Sequence, residues 1–334
     1  MNTKRIVSLV ASLSLVLSMS LGLTGCGDKA AQDNNQGSTD GESTKYTVGI
    51  CQLVQHEALD AATQGFIDAL NEALPGEVEF QTKNASGDSA NCSTIVNGFV
   101  SDKVDLIMAN ATGALTAAAA ATSDIPILGT SITAYGVALD IDDFDGTVGG
   151  NISGTSDLAD LEAQANMITE WFPEAQKVAL LFCSAEPNSR YQIEEVAKCL
   201  SDKGIETKEF AFTDTNDVAS VTQSAADYAD VVYVPTDNTA ASNTEAIANI
   251  LVPAGVPAIC GEEGICKGCG IATLSIDYYE LGKTTGAMAA KILTGEANVS
   301  EMPIEYSQNP VKKYDAARCE ALGITVPADY VAIG

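Results

Sequence analysis

The sequence is poor in positive charge. Only 17 Lys and Arg residues stand against 45 Asp and Glu residues, and the formal net charge is −28. Nucleic-acid binding depends on Lys and Arg residues that neutralise phosphates, and an anionic membrane surface attracts the same residues. The composition therefore disfavours both partners and predicts a solvated, acidic surface.

The sequence also lacks the motifs of common enzymes. His56 is the single histidine, no Gly-x-Ser-x-Gly segment is present, and Lys283-Thr284 has no glycine loop before it. Glu262 and Glu263 are adjacent, so their carboxylates diverge if the loop is extended. These absences predict no catalytic residue, no metal site and no cofactor. An exported α/β enzyme stays open as an alternative.

Long apolar runs are confined to the N-terminus. Lys4 and Arg5 precede an apolar run over 6–23, which ends in Leu-Thr-Gly before Cys26. A positive start, a short apolar run and small residues at its end are typical of a secretory signal peptide, and the cysteine matches the bacterial lipobox. We expect residues 1–25 to be removed and Cys26 to be acylated, with an ordinary secreted protein as the alternative. Residues 26–44 are polar and predict a disordered tether.

Cysteine is the other unusual component. Without Cys26, eight of the nine cysteines remain, and eight thiols allow about 105 pairings. Cys266 and Cys269 form a Cys-Lys-Gly-Cys segment downstream of Cys260. A local disulfide and a zinc site are both compatible with this segment, although zinc needs further thiolate or imidazole ligands nearby. Free thiols that pack as small apolar groups are the default expectation.

From residue 46 onward, short apolar runs alternate with helical patterns, which is typical of an α/β protein with parallel sheets. The order repeats: residues 105–109 (Asp-Leu-Ile-Met-Ala) resemble residues 230–234 (Asp-Val-Val-Tyr-Val). We therefore predict two Rossmann-like lobes joined by a multi-strand hinge. The first lobe is expected over 45–153, the second over 154–275, and a return to the first over 276–306. The lobe that holds 307–334 is left open.

Two further local predictions concern the second half. The pattern predicts one helix over 239–250 and a loop over 261–264. Residues 149–154 (Gly-Gly-Asn-Ile-Ser-Gly) are expected to be the first crossing between the lobes.

Small polar residues follow most of the predicted strands. In parallel sheets, ligands bind at the carboxyl ends of the strands, so two lobes that face each other there would enclose a ligand. The candidate ligand-binding residues in these loops are Gln55, His56, Thr112, Gly113, Ser131, Thr133, Ser184, Glu186, Asn188, Ser189, Thr236, Asp237, Glu262 and Asp277. Many of them are also good helix caps, and capping is the alternative for each.

The chemistry of these loops favours a zwitterion. The free amides at a helix N-terminus bind anions, so Thr112-Gly113 and Asn188-Ser189 are candidates for holding a carboxylate. Glu186 and Asp237, in loops of one lobe, are candidates for holding an ammonium group. An α-amino acid is the hypothesis that follows.

Several segments resemble a known family. The ABC-transporter substrate-binding family that includes bacterial tryptophan- and tyrosine-binding lipoproteins has similar sequences over most of the chain, from Tyr46 to about Pro327. The segments that carry the resemblance are residues 56–61 (His-Glu-Ala-Leu-Asp-Ala), 101–107 (Ser-Asp-Lys-Val-Asp-Leu-Ile), 235–239 (Pro-Thr-Asp-Asn-Thr), 261–264 (Gly-Glu-Glu-Gly) and 276–282 (Ile-Asp-Tyr-Tyr-Glu-Leu-Gly).

The resemblance implies a type I periplasmic-binding-protein fold, no catalysis and an amino acid, often aromatic, between the lobes. It further implies that Asp237 binds the ammonium group and that the 186–189 loop contacts the backbone of the ligand. Thr112, Ser131 and Thr133 would contact the ligand from the other lobe. The chain departs from the family pattern at 134–136 (Ala-Tyr-Gly) and at the cysteine-rich 260–269 stretch. Tyr135 is a candidate stacking partner for an aromatic ligand, with a core or hinge role as the alternative.

The predicted function is that of a lipid-anchored solute-binding protein on the extracytoplasmic face of the cell membrane. It would capture an amino acid by hinge closure and deliver it to an ABC permease and its ATPase, acting as a monomer that contacts the membrane through its anchor alone. A surface adhesin or antigen with the same fold is a second alternative beside the exported enzyme.

Overall fold

The computed structural model describes residues 45–307 and 309–334. The predicted signal peptide, the predicted acylation site at Cys26 and the predicted tether lie outside the described residues. In the described part of the chain, no helix is both long and apolar enough to cross a membrane.

Strands and helices alternate along most of the chain. The strands are β1 (Tyr46–Gln52), β2 (Val78–Asn84), β3 (Leu106–Asn110), β4 (Ile127–Ile132), β5 (Ile152–Ser156), β6 (Lys177–Cys183), β7 (Glu206–Phe212), β8 (Val231–Val234), β9 (Ala258–Cys260), β10 (Ala272–Ser275), β11 (Glu305–Tyr306), β12 (Val311–Tyr314) and β13 (Val331–Ala332). The helices are α1 (Glu57–Ala73), α2 (Ser89–Asp102), α3 (Thr112–Ala121), α4 (Tyr135–Ala138), α5 (Leu161–Trp171), α6 (Pro187–Ser201), α7 (Val218–Ala226), α8 (Asn238–Ala241), α9 (Thr244–Ala254), α10 (Glu263–Cys269), α11 (Tyr278–Leu293) and α12 (Ala316–Leu322).

The strands form two sheets with the same central order. The first sheet runs β11-β5-β4-β3-β1-β2 and the second runs β13-β12-β10-β9-β8-β6-β7. Pairing is parallel throughout the shared part of each sheet, and only β12 runs antiparallel to its neighbour β10. The prediction of an α/β fold with two Rossmann-like lobes is confirmed.

The internal likeness in the sequence has a structural counterpart. The Asp105 carboxylate accepts a hydrogen bond from the Thr47 amide at 2.7 Å, just before β3. At the same place in the second lobe, the Asp230 carboxylate accepts from the amides of Gln176 and Lys177, both at 2.9 Å. Each aspartate thus fixes the start of the central strand pair of its own lobe.

The chain crosses between the lobes three times. β5 pairs with β4, so the first crossing follows Ser156 and lies later than the expected 149–154 segment. α11 leaves β10 of the second sheet and packs on the first lobe, where β11 pairs with β5. β12 then returns to the second sheet, and α12 packs in the core of that lobe through Cys319. The segment whose lobe was left open therefore belongs mainly to the second lobe.

Two local predictions in the second half are wrong. The expected helix over 239–250 is two helices, α8 and α9, because the chain leaves helical geometry at Asn243. The expected loop over 261–264 contains the start of α10, which Glu262 caps with its side chain. Two glycines in this seven-residue helix lower its helix propensity, so the sequence gives little indication of a helix here.

α1 and α11 approach each other through glycines. A Cβ atom on Gly282 would lie 2.0 Å from the Ala62 carbonyl oxygen, and one on Gly65 would lie 2.1 Å from the Tyr279 carbonyl oxygen. The two helices are therefore in backbone contact, which joins the second segment of the first lobe, α11 and β11, firmly to its first helix.

Candidate functional site

A cavity of about 560 Å³ lies between the lobes. Its lining includes Leu53 after β1 and Thr112 after β3, which flank the point where the strand order of the first sheet reverses. Cys183 at the end of β6 and Asn238 after β8 flank the matching point of the second sheet. Ligands of open parallel sheets bind at such switch points, and the volume suits a small molecule, for which cavities of about 300–1,000 Å³ are usual.

The first-lobe wall of the cavity contains the N-terminus of α3. Thr112 and Gly113 line the cavity, and Ala111 provides no side-chain cap. Amides in the first turn of a helix have no intrahelical partner, so these two face the cavity as anion donors. Ala111 has a φ of +84°, and Ser131, near the end of β4, has a φ of +55°. These are strained values for residues with a side chain.

The second-lobe wall contains the loop that precedes α6. Glu186 and Asn188 line the cavity, but the Glu186 carboxylate is already engaged. It accepts hydrogen bonds from the amide and side chain of Asn238 at 3.0 and 2.7 Å, and from the amide and hydroxyl of Thr239 at 2.9 and 2.8 Å. These bonds occupy the four acceptor positions of a carboxylate. The structure therefore favours the capping alternative for Glu186.

Asp237 has a similar structural role. It is 1% exposed, and its two oxygens accept from the amides of Cys183 at 2.6 Å and Ala240 at 2.7 Å. Burial and the nearby Glu186 charge raise the pKa of Asp237 to about 8. The residue joins the end of β6 to the first turn of α8, and it is absent from the lining of the interlobe cavity.

Glu262 and Asp277 also cap helices. Glu262 accepts from the amides of Gly264 and Ile265 at the start of α10, and burial raises its pKa to about 7. Asp277 accepts from the Glu280 amide at 3.0 Å at the start of α11. Both residues line a smaller cavity of about 380 Å³ beside Tyr278.

The lobes touch each other next to His56. The His56 Nε2 atom is 3.2 Å from the Asn238 Oδ1 atom of the other lobe, and burial lowers the pKa of His56. Lys267 on α10 donates to both oxygens of Glu57 on α1, at 2.9 and 3.1 Å. Gln55 and His56 line a third cavity, of about 370 Å³, beside this ion pair. These contacts hold the lobes together across the cleft.

Tyr135 is a core residue. Its ring is 2% exposed, its hydroxyl donates to the Thr155 carbonyl at 3.1 Å, and it stacks on Phe144. A Cβ atom on Gly129 or Gly154 would lie within 2.5 Å of this hydroxyl, so the two glycines make room for it. These contacts favour the alternative core role for Tyr135, and its stacking on an aromatic ligand stays a prediction.

The remaining candidates are distributed around the cleft. Ser131 and Thr133 are buried at the end of β4. Ser189 is buried beside Asn188, whose side chain donates to the Thr236 carbonyl at 3.1 Å. Ser184 is exposed and donates to the Phe212 carbonyl, so it fixes the edge strand of the second lobe.

Eight cysteines in the described residues are free thiols. Cys266 and Cys269 lie on α10, and no group of three or more potential metal ligands occurs within the described ranges. Arg318 donates to the carbonyls of Cys266, Lys267, Gly268 and Gly270 at 2.6–3.1 Å. The unusual segment is thus a short helix whose C-terminal carbonyls are bound by a guanidinium group.

Comparison with known proteins places this architecture in a family. A family model described as ABC transporter substrate binding protein matches residues 47–332. The chain belongs to this substrate-binding family. The family is one of solute-binding proteins and not an enzyme class, and it implies an ABC permease as partner.

Relatives of this substrate-binding protein include proteins of known ligand. A tyrosine-binding protein of Clostridioides difficile is 33% identical over 312 residues, which cover 90% of this chain and 87% of the relative. A Streptococcus pneumonia ABC domain in complex with L-Trp has a TM-score of 0.81 at 28% identity and covers 85% of this chain and 96% of its own. A ligand-free, open substrate-binding protein with adhesive properties from Clostridium difficile has a TM-score of 0.65 at 33% identity, and covers 86% of this chain and 100% of its own.

The two TM-scores bear on the lobe arrangement of this substrate-binding protein. The open structure is more similar in sequence but less similar in shape than the L-Trp complex. The lobes of this protein are therefore arranged more like those of the ligand-bound neighbour, in agreement with the His56 and Lys267 contacts across the cleft.

Sequence reasoning missed two loops of the cavity. Residues 86–89 follow β2 and residues 213–215 follow β7, and both groups line the cavity. The rule that ligands contact the loops at strand ends applies to these loops as well. Their Ser, Asp and Thr residues could have indicated that they line the cavity.

Proposed function

We propose that this protein captures an aromatic amino acid between its lobes and delivers it to an ABC permease and its ATPase. The observation that carries the proposal is the cavity at the switch points of both sheets. Its lining combines the free amides of α3 with apolar atoms of Leu53, Val54 and Ala117. The amide hydrogen-bond donors of α3 suit the carboxylate of an amino acid, and the apolar surface suits its aromatic ring.

The names of the relatives support the same ligand class, since one is a tyrosine-binding protein and another structure holds L-Trp. We propose hinge closure as the mechanism, without catalysis or a cofactor. A ligand can favour the closed form only through its differential affinity for the two forms. Contacts from both walls of the cavity supply that difference, because an open protein offers one wall at a time.

Thermal denaturation of the purified protein tests the ligand class. L-Tyr, L-Trp or L-Phe at 100 times its dissociation constant should stabilise the protein by about 2.7 kcal/mol, whereas L-Ile and L-Asp serve as controls of other side-chain chemistry. The shift in midpoint is measured for all five ligands. Equal midpoints with and without every aromatic amino acid would contradict the proposal.

We further propose that the protein is a monomer, anchored by lipid on Cys26 at the extracytoplasmic face of the cell membrane. The support for the anchor is the sequence before Cys26. Cells fed a labelled fatty acid should incorporate it into the wild type and not into Cys26→Ser, with Cys51→Ser as the matched control that keeps its label. Label in Cys26→Ser would remove the anchor from the proposal.

An adhesive role is the second candidate, because the open relative has adhesive properties. Adhesion does not require the interlobe cavity. A surface role would therefore survive substitutions that fill the cavity and abolish ligand binding.

A further inference from the structure

Two cysteines of the first lobe face each other. Cys51 lies near the end of β1, Cys92 lies in the first turn of α2, and both side chains are fully buried in the same apolar cluster. The hydrogen bond between the two thiols raises the pKa of Cys51 and lowers the pKa of Cys92. The two sulfur atoms are therefore in contact, although they belong to different elements of the fold.

The packing of α2 on β1 explains this contact. Cys92 and Phe99 both belong to the buried face of α2, since they are seven residues, or about two helical turns, apart. Cys51 and Gly49 point to the same side of β1, because they are two residues apart. A Cβ atom on Gly49 would lie 2.6 Å from the Phe99 ring, so this ring rests on the backbone of the strand. α2 is thus held close to β1, and two short thiol side chains fill the space between them.

The other buried thiols are arranged differently. Cys260 faces two further thiols, those of Cys266 and Cys269. The thiols of Cys183, Cys269 and Cys319 donate to backbone carbonyls. Between β1 and α2, two thiols oppose each other with no third thiol from the described ranges beside them.

We propose that Cys51 and Cys92 are a dithiol that closes to a disulfide when the protein meets a disulfide oxidant. A disulfide joins residues whose Cα atoms are about 4.4–6.8 Å apart, and a strand and a helix whose thiols already touch are close enough for this bond. The extracytoplasmic position proposed above is one in which disulfides form and persist. The proposal does not depend on which ligand the protein binds.

The chemistry is a two-step exchange with the oxidant. The Cys92 thiolate attacks one sulfur of the oxidant and forms a mixed disulfide, and the first oxidant thiolate leaves with the Cys92 proton. The Cys51 thiolate then attacks the Cys92 sulfur and forms the new S–S bond, and the second oxidant thiolate leaves with the Cys51 proton. Two protein thiols are oxidised, and one oxidant disulfide is reduced to two thiols. Cys92 attacks first because its pKa is the lowered one.

The oxidant reaches the pair through the start of α2. Cys92 lies between the exposed residues Asn91 and Ser93, and the ends of helices open locally at little cost in free energy. Cys51 lies in the interior of the sheet, where β1 pairs with both β2 and β3. The second attack therefore takes place when the first turn of α2 packs on the sheet again.

The bond would tie together two parts of the cavity wall. Leu53 follows Cys51 by two residues, and Ser89 and Ser93 flank Cys92; these three residues line the interlobe cavity. The bond would also close a loop of about 40 residues and thereby reduce the conformational entropy of the unfolded chain. Oxidation should therefore stabilise the first lobe behind its ligand-facing wall.

Incubation of the wild-type protein with oxidised glutathione tests the proposal, with dithiothreitol as the reducing condition. Free thiols are then alkylated in urea, and the protein is digested for mass spectrometry. We expect the oxidised sample to contain a peptide pair that joins Cys51 to Cys92 and is lighter by two hydrogen atoms than the two thiol peptides. We also expect the midpoint of thermal denaturation to be higher by about 5–10 °C than in dithiothreitol.

The variant is Cys92→Ser, and the matched control is Cys199→Ser, which removes a half-buried thiol of α6. The rise in midpoint should vanish in Cys92→Ser and persist in Cys199→Ser, and a rise that Cys92→Ser retains would overturn the proposal. The peptide map of the wild type decides the matter even if Cys92→Ser does not fold. Alkylation of both thiols after oxidation, glutathione retained on Cys92, or linkage of either residue to another cysteine would each contradict the proposed bond.

Discussion

Substitution of Gly113 by Phe is expected to lower the affinity for the aromatic amino acid by at least about 100-fold. At 1.4 kcal/mol for each tenfold change in affinity, this is a loss of about 2.8 kcal/mol of binding free energy. Gly113 lies in the first turn of α3 and lines the interlobe cavity. A Cβ atom there meets only side-chain atoms, Leu53 Cδ1 at 3.3 Å and Ser89 Oγ at 3.5 Å, which can yield. The ring would occupy the cavity and cover the two free amides, so isothermal titration should show the loss.

The matched control for this substitution is Gly98→Phe. Gly98 is an exposed glycine of α2 with no atom within 4 Å of a Cβ position, so the same insertion there should leave the affinity unchanged. Circular dichroism should show that both variants are folded. Near-normal affinity in Gly113→Phe would mean that the ligand binds outside the cavity described above.

Substitution of Gly282 by Ala is expected to lower the free energy of unfolding by about 3 kcal/mol. The added methyl group would lie 2.0 Å from the Ala62 carbonyl oxygen. The obstacle is backbone, so α1 and α11 must separate, and this loss exceeds the gain of up to about 1 kcal/mol from replacing a helical glycine. Urea denaturation followed by circular dichroism measures the change.

Gly98→Ala is the control, because the same glycine-to-alanine change is expected to raise the stability there. Its methyl group meets open space on an exposed helix, so stability should rise by about 0.5–1 kcal/mol. If Gly282→Ala were as stable as the wild type, the backbone contact between α1 and α11 would be looser than described.

The strands were predictable because the apolar run that marks each strand lies within a few consecutive residues. Buried parallel strands appear as short apolar runs, and the similar segments 105–109 and 230–234 coincide with β3 and β8 to within one residue. α10 was missed because its stability comes from tertiary contacts. Its C-terminal carbonyls are bound by Arg318, which lies far along the chain, and a Cβ on Gly268 would lie 2.3 Å from Thr244.

The candidate site was predictable in position but not in the role of each residue. The strand-end rule located Thr112, Gly113 and Asn188 at the cavity. The same rule could not separate ligand contacts from caps, because a free carboxylate and a capping carboxylate have the same sequence signal.

The three crossings between the lobes affect the order in which the chain can fold. The glycine-lined face of α1 is complete only when α11 has been synthesised, roughly 200 residues later. At about 5–20 residues per second this interval is on the order of 10–40 s. The second lobe waits similarly for β12 and β13 near the C-terminus. Neither lobe can therefore finish folding until nearly the whole chain has been synthesised.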